Sequence, residues 1–352
     1  MLIPELPRHL SNLGGSEYVG YAIFLFTLTA GISRPFSGKL TDSIGRVPVM
    51  IFGSLVCFLC GFLYPMLLTV NGFLWLRLFH GMSTGTKPTA TAAYVADITP
   101  ADRRGEAMGM LALFTATGMS FGPSIGAFFT KNYGINVMFY VTSLFALLSI
   151  LILGKLQETL AEKQEFSWRL LKLGKDEIFE KMVMLPFVVN LLFSFSYGVV
   201  LTLLPIIGEK MGIENKGLFF SIYTLASIAV RLALPKISDQ KGRIPVLILA
   251  ALILVASMVL LIYLDGILSY WISGILFGVA WGFISPTISA WTVDLSLEEK
   301  RGKALATMYI ALELGIGIGA YFAGKMIFVS NNGQFYAFLF SALFSGLAFV
   351  IL

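Results

Sequence analysis

The sequence predicts an all-α membrane protein built from two related helical bundles. Three observations carry that prediction. The 352 residues are 57% hydrophobic and only 13% charged, with a mean hydropathy of +0.83, whereas a soluble domain is about a quarter charged. The apolar residues fall into runs long enough to cross a bilayer, which takes about 20 residues of helix. One half of the sequence repeats in the other at a fixed offset of 197 residues.

Residues 1–14 contain Pro4, Pro7, Arg8, His9 and Gly14 and read as a loop, with no cleavable signal peptide. Eleven apolar runs follow: 17–37, 47–70, 73–95, 106–130, 135–154, 183–207, 217–236, 245–264, 268–292, 303–325 and 334–352. Backbone polar groups in lipid must bond within their own segment, so each run is expected to be a helix. No Asp, Glu, Lys, Arg or His lies between Val47 and Leu76. Cys57 and Cys60 sit in that stretch and read as packing residues. The longest polar stretch, 155–181, is charged and amphipathic and reads as a linker. The expected divisions are an N-terminal bundle 1–155, a linker 156–181 and a C-terminal bundle 182–352.

The cations sort by loop. Sixteen, among them Lys39, Arg46, Lys155, Arg169, Lys172 and Arg243, fall on one side of the bilayer, and five (Arg8, Lys131, Lys210, Lys216 and Lys325) on the other. The positive-inside bias puts the larger set in the cytoplasm. No basic patch interleaved with aromatics is present, which argues against a nucleic-acid partner.

The repeat pairs Arg34 with Arg231, Lys39 with Lys236, Asp42 with Asp239, and Gly45-Arg46 with Gly242-Arg243. Farther on it pairs Gly81 with Gly278, Gly85 with Gly282, Asp97 with Asp294, Gly118 with Gly315 and Gly122 with Gly319. One offset held over such a span indicates duplication. An even number of helices separates the copies, so both share one orientation in the membrane. Six helices per copy give an expected twelve, of which eleven are visible. Residues 1–14 look like the loop that follows a first helix, so the first copy is expected to lack its opening helix in this chain.

Gly38-Lys39-Leu40-Thr41-Asp42-Ser43-Ile44-Gly45-Arg46 resembles the signature loop of the major facilitator superfamily. Residues 235–243 match it more weakly, with Pro235 in place of the first glycine. Arg77-Leu78-Phe79-His80-Gly81 is similar to that family's fourth-helix motif. The stretch 118–126, holding Gly118, Gly122, Pro123 and Gly126, resembles the fifth-helix motif of its proton-coupled exporters. The resemblance implies a major-facilitator-like fold: two pseudo-symmetric six-helix bundles around a central cavity.

Against that background Asp42 and Arg46 form a conformational latch, with Arg46 pairing Asp97 and Asp42 facing the positive N-terminus of the helix that begins near Gly302. The repeat extends the latch to Asp239, Gly242, Arg243 and Asp294. The plainer reading is that these are solvated charges that set topology. The glycines at 118–126 recur on one helix face, where small residues allow close helix approach, and Pro123 removes a backbone donor. Arg77, Lys87 and Glu313 are ionisable groups deep in apolar runs, which marks a substrate or proton pathway by default. Lys87 is expected to meet an anionic substrate group or to balance Glu313. The alternative for Glu313 is a structural partner for a buried cation. Arg34 and Arg231 read as anchors at the cytoplasmic end, and His80 as a packing residue.

These expectations converge on a secondary transporter working by alternating access, a proton-coupled exporter of a small organic molecule. Uptake by symport is the alternative on the same fold. A lipid-modifying enzyme would need clustered catalytic side chains, and the sequence has only two His. A receptor or sensor would usually carry a soluble output domain. The reading calls for a small-molecule substrate, protons and the bilayer as partners, for no cofactor or metal, and for a monomer in the cell membrane.

Overall fold

The computed structural model describes residues 5–99, 104–160, 163–174, 178–213, 215, 217–233, 237–295, 301–330 and 332–352. Every regular element among them is helical. A short α1 (Leu6–Asn12) precedes α2 (Val19–Ser43), α3 (Arg46–Leu63), α4 (Val70–Ile98), α5 (Arg104–Tyr133) and α6 (Ile135–Leu153). After the linker come α7 (Met184–Lys210), α8 (Leu218–Ala233), the one-turn α9 (Ile237–Lys241), α10 (Arg243–Ile262), α11 (Ile267–Leu295), α12 (Arg301–Val329) and α13 (Gly333–Ile351). Residues 6–12, expected as loop, are helical because Pro7 occupies the first turn, where its missing N–H costs nothing.

Among the described residues, 8 helices are long and apolar enough to cross a membrane, and α8 is a shorter apolar helix. The 29-residue α4 falls outside that set. Arg77, His80 and Lys87 are the polar residues that lower its hydropathy.

The duplication is written into the helix boundaries. Shifting α4 by 197 gives 267–295, the bounds of α11. The same shift carries α3 onto α10, α5 onto α12 and α6 onto α13 within two residues, and α2 onto α8 plus α9. Packing obeys it as well. Phe26 meets His80 edge-on at 5.4 Å, and their counterparts Tyr223 and Phe277 meet edge-on at 5.5 Å. A side chain at Gly81 would strike the Phe26 carbonyl, and one at Gly278 the Tyr223 carbonyl.

Within the first repeat α4 packs on α2 and α3, and α3 on α6; within the second, α11 packs on α8 and α10, and α10 on α13. Two seams join the repeats, α2 against α12 and α5 against α8. The offset exchanges one seam for the other, which is the signature of a two-fold relation between the copies. In both seams the closest backbone contacts lie toward the end away from the 44–45 loop. Gly20 abuts Ala320 and Gly324, and Gly217 abuts the Pro123–Ser124 peptide. Ser124 and Ser221 share a 2.7 Å hydrogen bond there.

Candidate functional site

The strongest polar contact between the repeats is an ion pair that neither residue's immediate sequence announces. Arg34 on α2 donates from Nη2 to Glu313 Oε1 on α12 at 2.9 Å. Both residues are 5% exposed. The Tyr309 ring covers the guanidinium at 4.4 Å. At 1.5 Å per residue, Arg34 lies about 14 Å from the end of α2 at the 44–45 loop, and Glu313 about 18 Å from the start of α12. The pair therefore sits near mid-depth, displaced toward the basic face. Gly31 makes room for it, since a Cβ there would stand 3.4 Å from Glu313 Cβ.

Lys87 is not Glu313's counter-charge. Its Nζ donates to Ser149 Oγ on α6 at 2.7 Å, and its Cβ fills the space in front of Gly53 on α3. The residue projects into the corner between α3, α4 and α6, away from both seams. Helical phase explains this: Arg77 and Lys87 are about 80° apart around α4, enough to send them to different neighbours. Arg77 turns to α2, donating from Nε to the Ala22 carbonyl at 3.0 Å and stacking on Phe26 at 4.3 Å. His80 Nδ1 shares a 3.1 Å hydrogen bond with Tyr64 Oη. Two surface clefts of about 290 and 240 Å³ lie elsewhere, and Lys87 lines neither.

Both expected arginine–aspartate pairs are present. Arg46 Nε donates to Asp97 Oδ2 at 2.9 Å, and Arg243 Nε to Asp294 Oδ2 at 2.8 Å. Their remaining donors match too: Arg46 Nη1 reaches the Thr41 carbonyl, and Arg243 Nη1 reaches Ser238 Oγ, one offset away. Asp42 lies 3.4 Å from Arg46. Each pair joins two helices of the same repeat, however, so neither bridges the halves. The hairpins α3–α4 and α10–α11 bring those helix ends together. Gly45 (φ 118°) and Gly242 (φ 88°) open α3 and α10 in the left-handed region that glycine tolerates. The helix that Asp42 was expected to face does begin near Gly302, as α12 at Arg301, but the side chains of its first residues and of Asp239 lie outside what the structure describes.

The linker supplies a part that sequence reading missed. The Glu158 carboxylate accepts the backbone N–H groups of Arg46 and Val47, both at 2.9 Å, and those of Thr159 and Leu160. It caps α3 from outside, where Gly45 has no side chain to do so. Burial raises the Glu158 pKa, but the four N–H donors outweigh it and hold the carboxyl below its ordinary value. Thr159 Oγ1 donates to Asp97 Oδ2 at 2.6 Å, completing the Arg46–Asp97 cluster. The Gln164 N–H donates to the Ser43 carbonyl, and Lys39 Nζ to the Lys172 carbonyl.

The expected close approach at Gly118 is not made: a Cβ there would meet nothing within 4 Å. The approach of α5 to α8 runs through Pro123 and Ser124, the adjoining face. Gly122 and Gly126 share the Gly118 face. Gly38 likewise has open space before it.

Comparison with known proteins accounts for this architecture. The family model of the Major Facilitator Superfamily matches residues 1–299 and 187–352. The chain belongs to the Major Facilitator Superfamily. It is an integral, multi-pass membrane protein and a secondary transporter. Multi-drug resistance efflux pump PmrA of Streptococcus pneumoniae is 25% identical over 349 residues, covering 95% of this chain and 86% of the pump. Multidrug resistance protein MdtG of Klebsiella pneumoniae is 24% identical, covering 99% and 89%. Multidrug resistance protein 2 of Bacillus subtilis is 32% identical over 151 residues, spanning 42% of this chain and 37% of that protein. In fold, the crystal structure of a D-xylose-proton symporter superposes with a TM-score of 0.77 at 18% identity, covering 98% of this chain and 88% of the symporter.

Proposed function

We propose that this superfamily member is a proton-driven exporter of a small organic molecule, in which the Arg34–Glu313 pair couples proton movement to rocking of the halves 1–155 and 182–352. The carrying observation is that this ion pair, buried and near mid-depth, joins α2 of one half to α12 of the other. Protonating Glu313 removes the Coulombic attraction and leaves Arg34 as an uncompensated buried cation, a change worth several kcal/mol. That is the size of bias an alternating-access equilibrium needs. Titration at this one place thus acts on the seam whose opening moves the substrate.

The close glycine contacts of both seams lie on the face away from the 44–45 loop, while Gly38 has open space. We read this as an inward-open state with the basic face in the cytoplasm, eleven helices crossing the bilayer, and a monomer as the working unit. Arg46–Asp97 and Arg243–Asp294 are latches that stiffen each half rather than bolts between them. Export rather than uptake is favoured by relatives named as efflux pumps, and a transport cycle requires no enzymatic step.

Inside-out vesicles carrying the protein test the reading. An imposed pH gradient, acid inside, should drive accumulation of a fluorescent export substrate such as ethidium, and Glu313→Gln should abolish its pH dependence. Gradient-driven movement in the opposite direction would establish uptake. Unchanged pH dependence in Glu313→Gln would remove Glu313 from the coupling role.

A further inference from the structure

The segment between α6 and α7 is fastened along the last turns of α2 by two hydrogen bonds. The Gln164 N–H donates to the Ser43 carbonyl at 2.9 Å, and Lys39 Nζ donates to the Lys172 carbonyl at 2.7 Å. Lys39 and Ser43 are one helical turn apart, so the stretch 164–172 begins and ends beside the 44–45 end of α2. Between the two ties lies a single turn of 3₁₀ helix, Trp168–Leu171, packed on α2. The 25 residues of α2 reach about 37 Å at 1.5 Å each. The hydrocarbon core is about 30 Å thick, so the last turn of α2 stands in the headgroup layer and holds the strap there.

The strap exposes its aromatics and covers its leucines. Leu170 and Leu171 are half-buried, whereas Phe166 is 51% and Trp168 78% exposed. Trp168 is the most exposed aromatic residue among the described ones, and it stands in a polar linker rather than on a spanning helix. The two rings meet edge-on at 5.6 Å and form one apolar knob. Exposed cations flank it: Lys163, Arg169 and Lys172, against the single acid Glu165 in 163–174. Tryptophan beside Lys and Arg is the composition of a membrane interface. There the indole sits at headgroup level, its ring toward the acyl chains and its N–H toward water, and the cations face lipid phosphates.

We propose that the strap 163–172 is a membrane anchor: it lays the Phe166–Trp168 pair into the headgroup layer and binds anionic phospholipid through Lys163, Arg169 and Lys172. The Arg169 guanidinium, next to Trp168 in the chain, has the fork geometry that takes two oxygens of one phosphate. The leaflet is the partner these features fit, because it is the apolar and negatively charged surface that the ties to α2 already bring within reach. Both ties belong to the first repeat, so the anchor fixes that half to one leaflet. This inference goes beyond the exporter reading and does not depend on it.

The test uses the full chain, one copy per nanodisc, in phosphatidylcholine that contains a small fraction of either dibrominated phosphatidylglycerol or dibrominated phosphatidylcholine. Bromine quenches only the rings it touches, and the emission of Trp168 is the difference between the wild type and Trp168→Phe. Both brominated lipids should quench Trp168, the anionic one at the lower fraction. Arg169→Gln and Lys163→Gln should each cut that preference by about fivefold, the worth of one cation at an anionic surface, while quenching by brominated phosphatidylcholine persists. Trp168 emission untouched by either lipid and freely quenched by iodide overturns the proposal in favour of a solvated linker. Emission shielded from iodide yet untouched by brominated lipid overturns it in favour of burial against protein. Equal quenching by the two lipids, or an undiminished preference in Arg169→Gln, also overturns it. If a Gln variant fails a thermal melt, the wild-type comparison of the two lipids decides.

Discussion

Glu313 and Glu158 are both carboxylates held by cationic or N–H donors, yet they stabilise the protein in different ways. Glu313 has one charged partner in a dry seam, so Arg34→Ala leaves a buried carboxylate exposed to its full desolvation cost. We expect a loss of about 3–5 kcal/mol, with the paired replacement Arg34→Met, Glu313→Leu recovering most of it; thermal melts of the two variants decide. Glu158 is half in solvent and caps α3 with four N–H contacts. Glu158→Ala should cost about 1 kcal/mol and speed hydrogen exchange at the Arg46 and Val47 amides. Its folded pKa lies below the ordinary value of 4.5, so its contribution is present above that pH. It is lost as pH falls through the folded value; exchange at the two amides measured from pH 6 to pH 3 should show the cap persisting below 4.5 before it fails. The ionisable residues themselves stood out in the sequence because charges are scarce there. Their partners did not: Arg34 is 279 positions from Glu313, and nothing local marks Glu158 as a cap for a helix that begins 112 residues earlier.

At the level of the helix, small residues matter by which face they occupy. Gly20 and Gly324 meet backbone to backbone across α2 and α12, so Gly20→Val forces the helices apart and should destabilise by about 1–3 kcal/mol. Gly118 looks out on open space, and Gly118→Ala should be neutral or stabilising by up to about 1 kcal/mol, because alanine favours helix. The contrast in melting temperature between the two variants checks both. Helix existence was plain from the apolar runs, and the repeat fixed which helices match. Which face of a glycine-bearing helix meets a partner was not legible, because a run with glycine every fourth residue presents a small stripe whether or not anything lies against it. Hydropathy also understates α4, since the residues that make it chemically interesting are those that lower its apolar score.

For the molecule as a whole, the two-fold relation between copies was legible in the sequence, because one offset aligned charged and glycine positions across both halves. The two seams follow from it: when α2 faces α12, the exchange of copies puts α8 against α5. The state of the seams was not legible, as it depends on contacts between residues hundreds of positions apart. With the seam away from the 44–45 loop closed, Tyr21 and Tyr321 stand hydroxyl to hydroxyl at 3.4 Å. Cysteines at those two positions, joined by a short bismaleimide, should arrest transport in vesicles, while either single cysteine treated alike should leave it running. Transport that continues after complete cross-linking would mean this seam does not open in the cycle.

The hydrogen bonds of the segment between α6 and α7 change owner along its length. Among the described residues, Glu158, Thr159, Gln164 and Lys172 bond to the first repeat, at Arg46, Asp97, Ser43 and Lys39, whereas Glu180 bonds Thr307 of the second. The polypeptide could accordingly be severed between Leu173 and Phe179, and the two pieces made as separate polypeptides should find each other in the bilayer through their helices. A fluorescent protein spliced at the same place should be carried without harm.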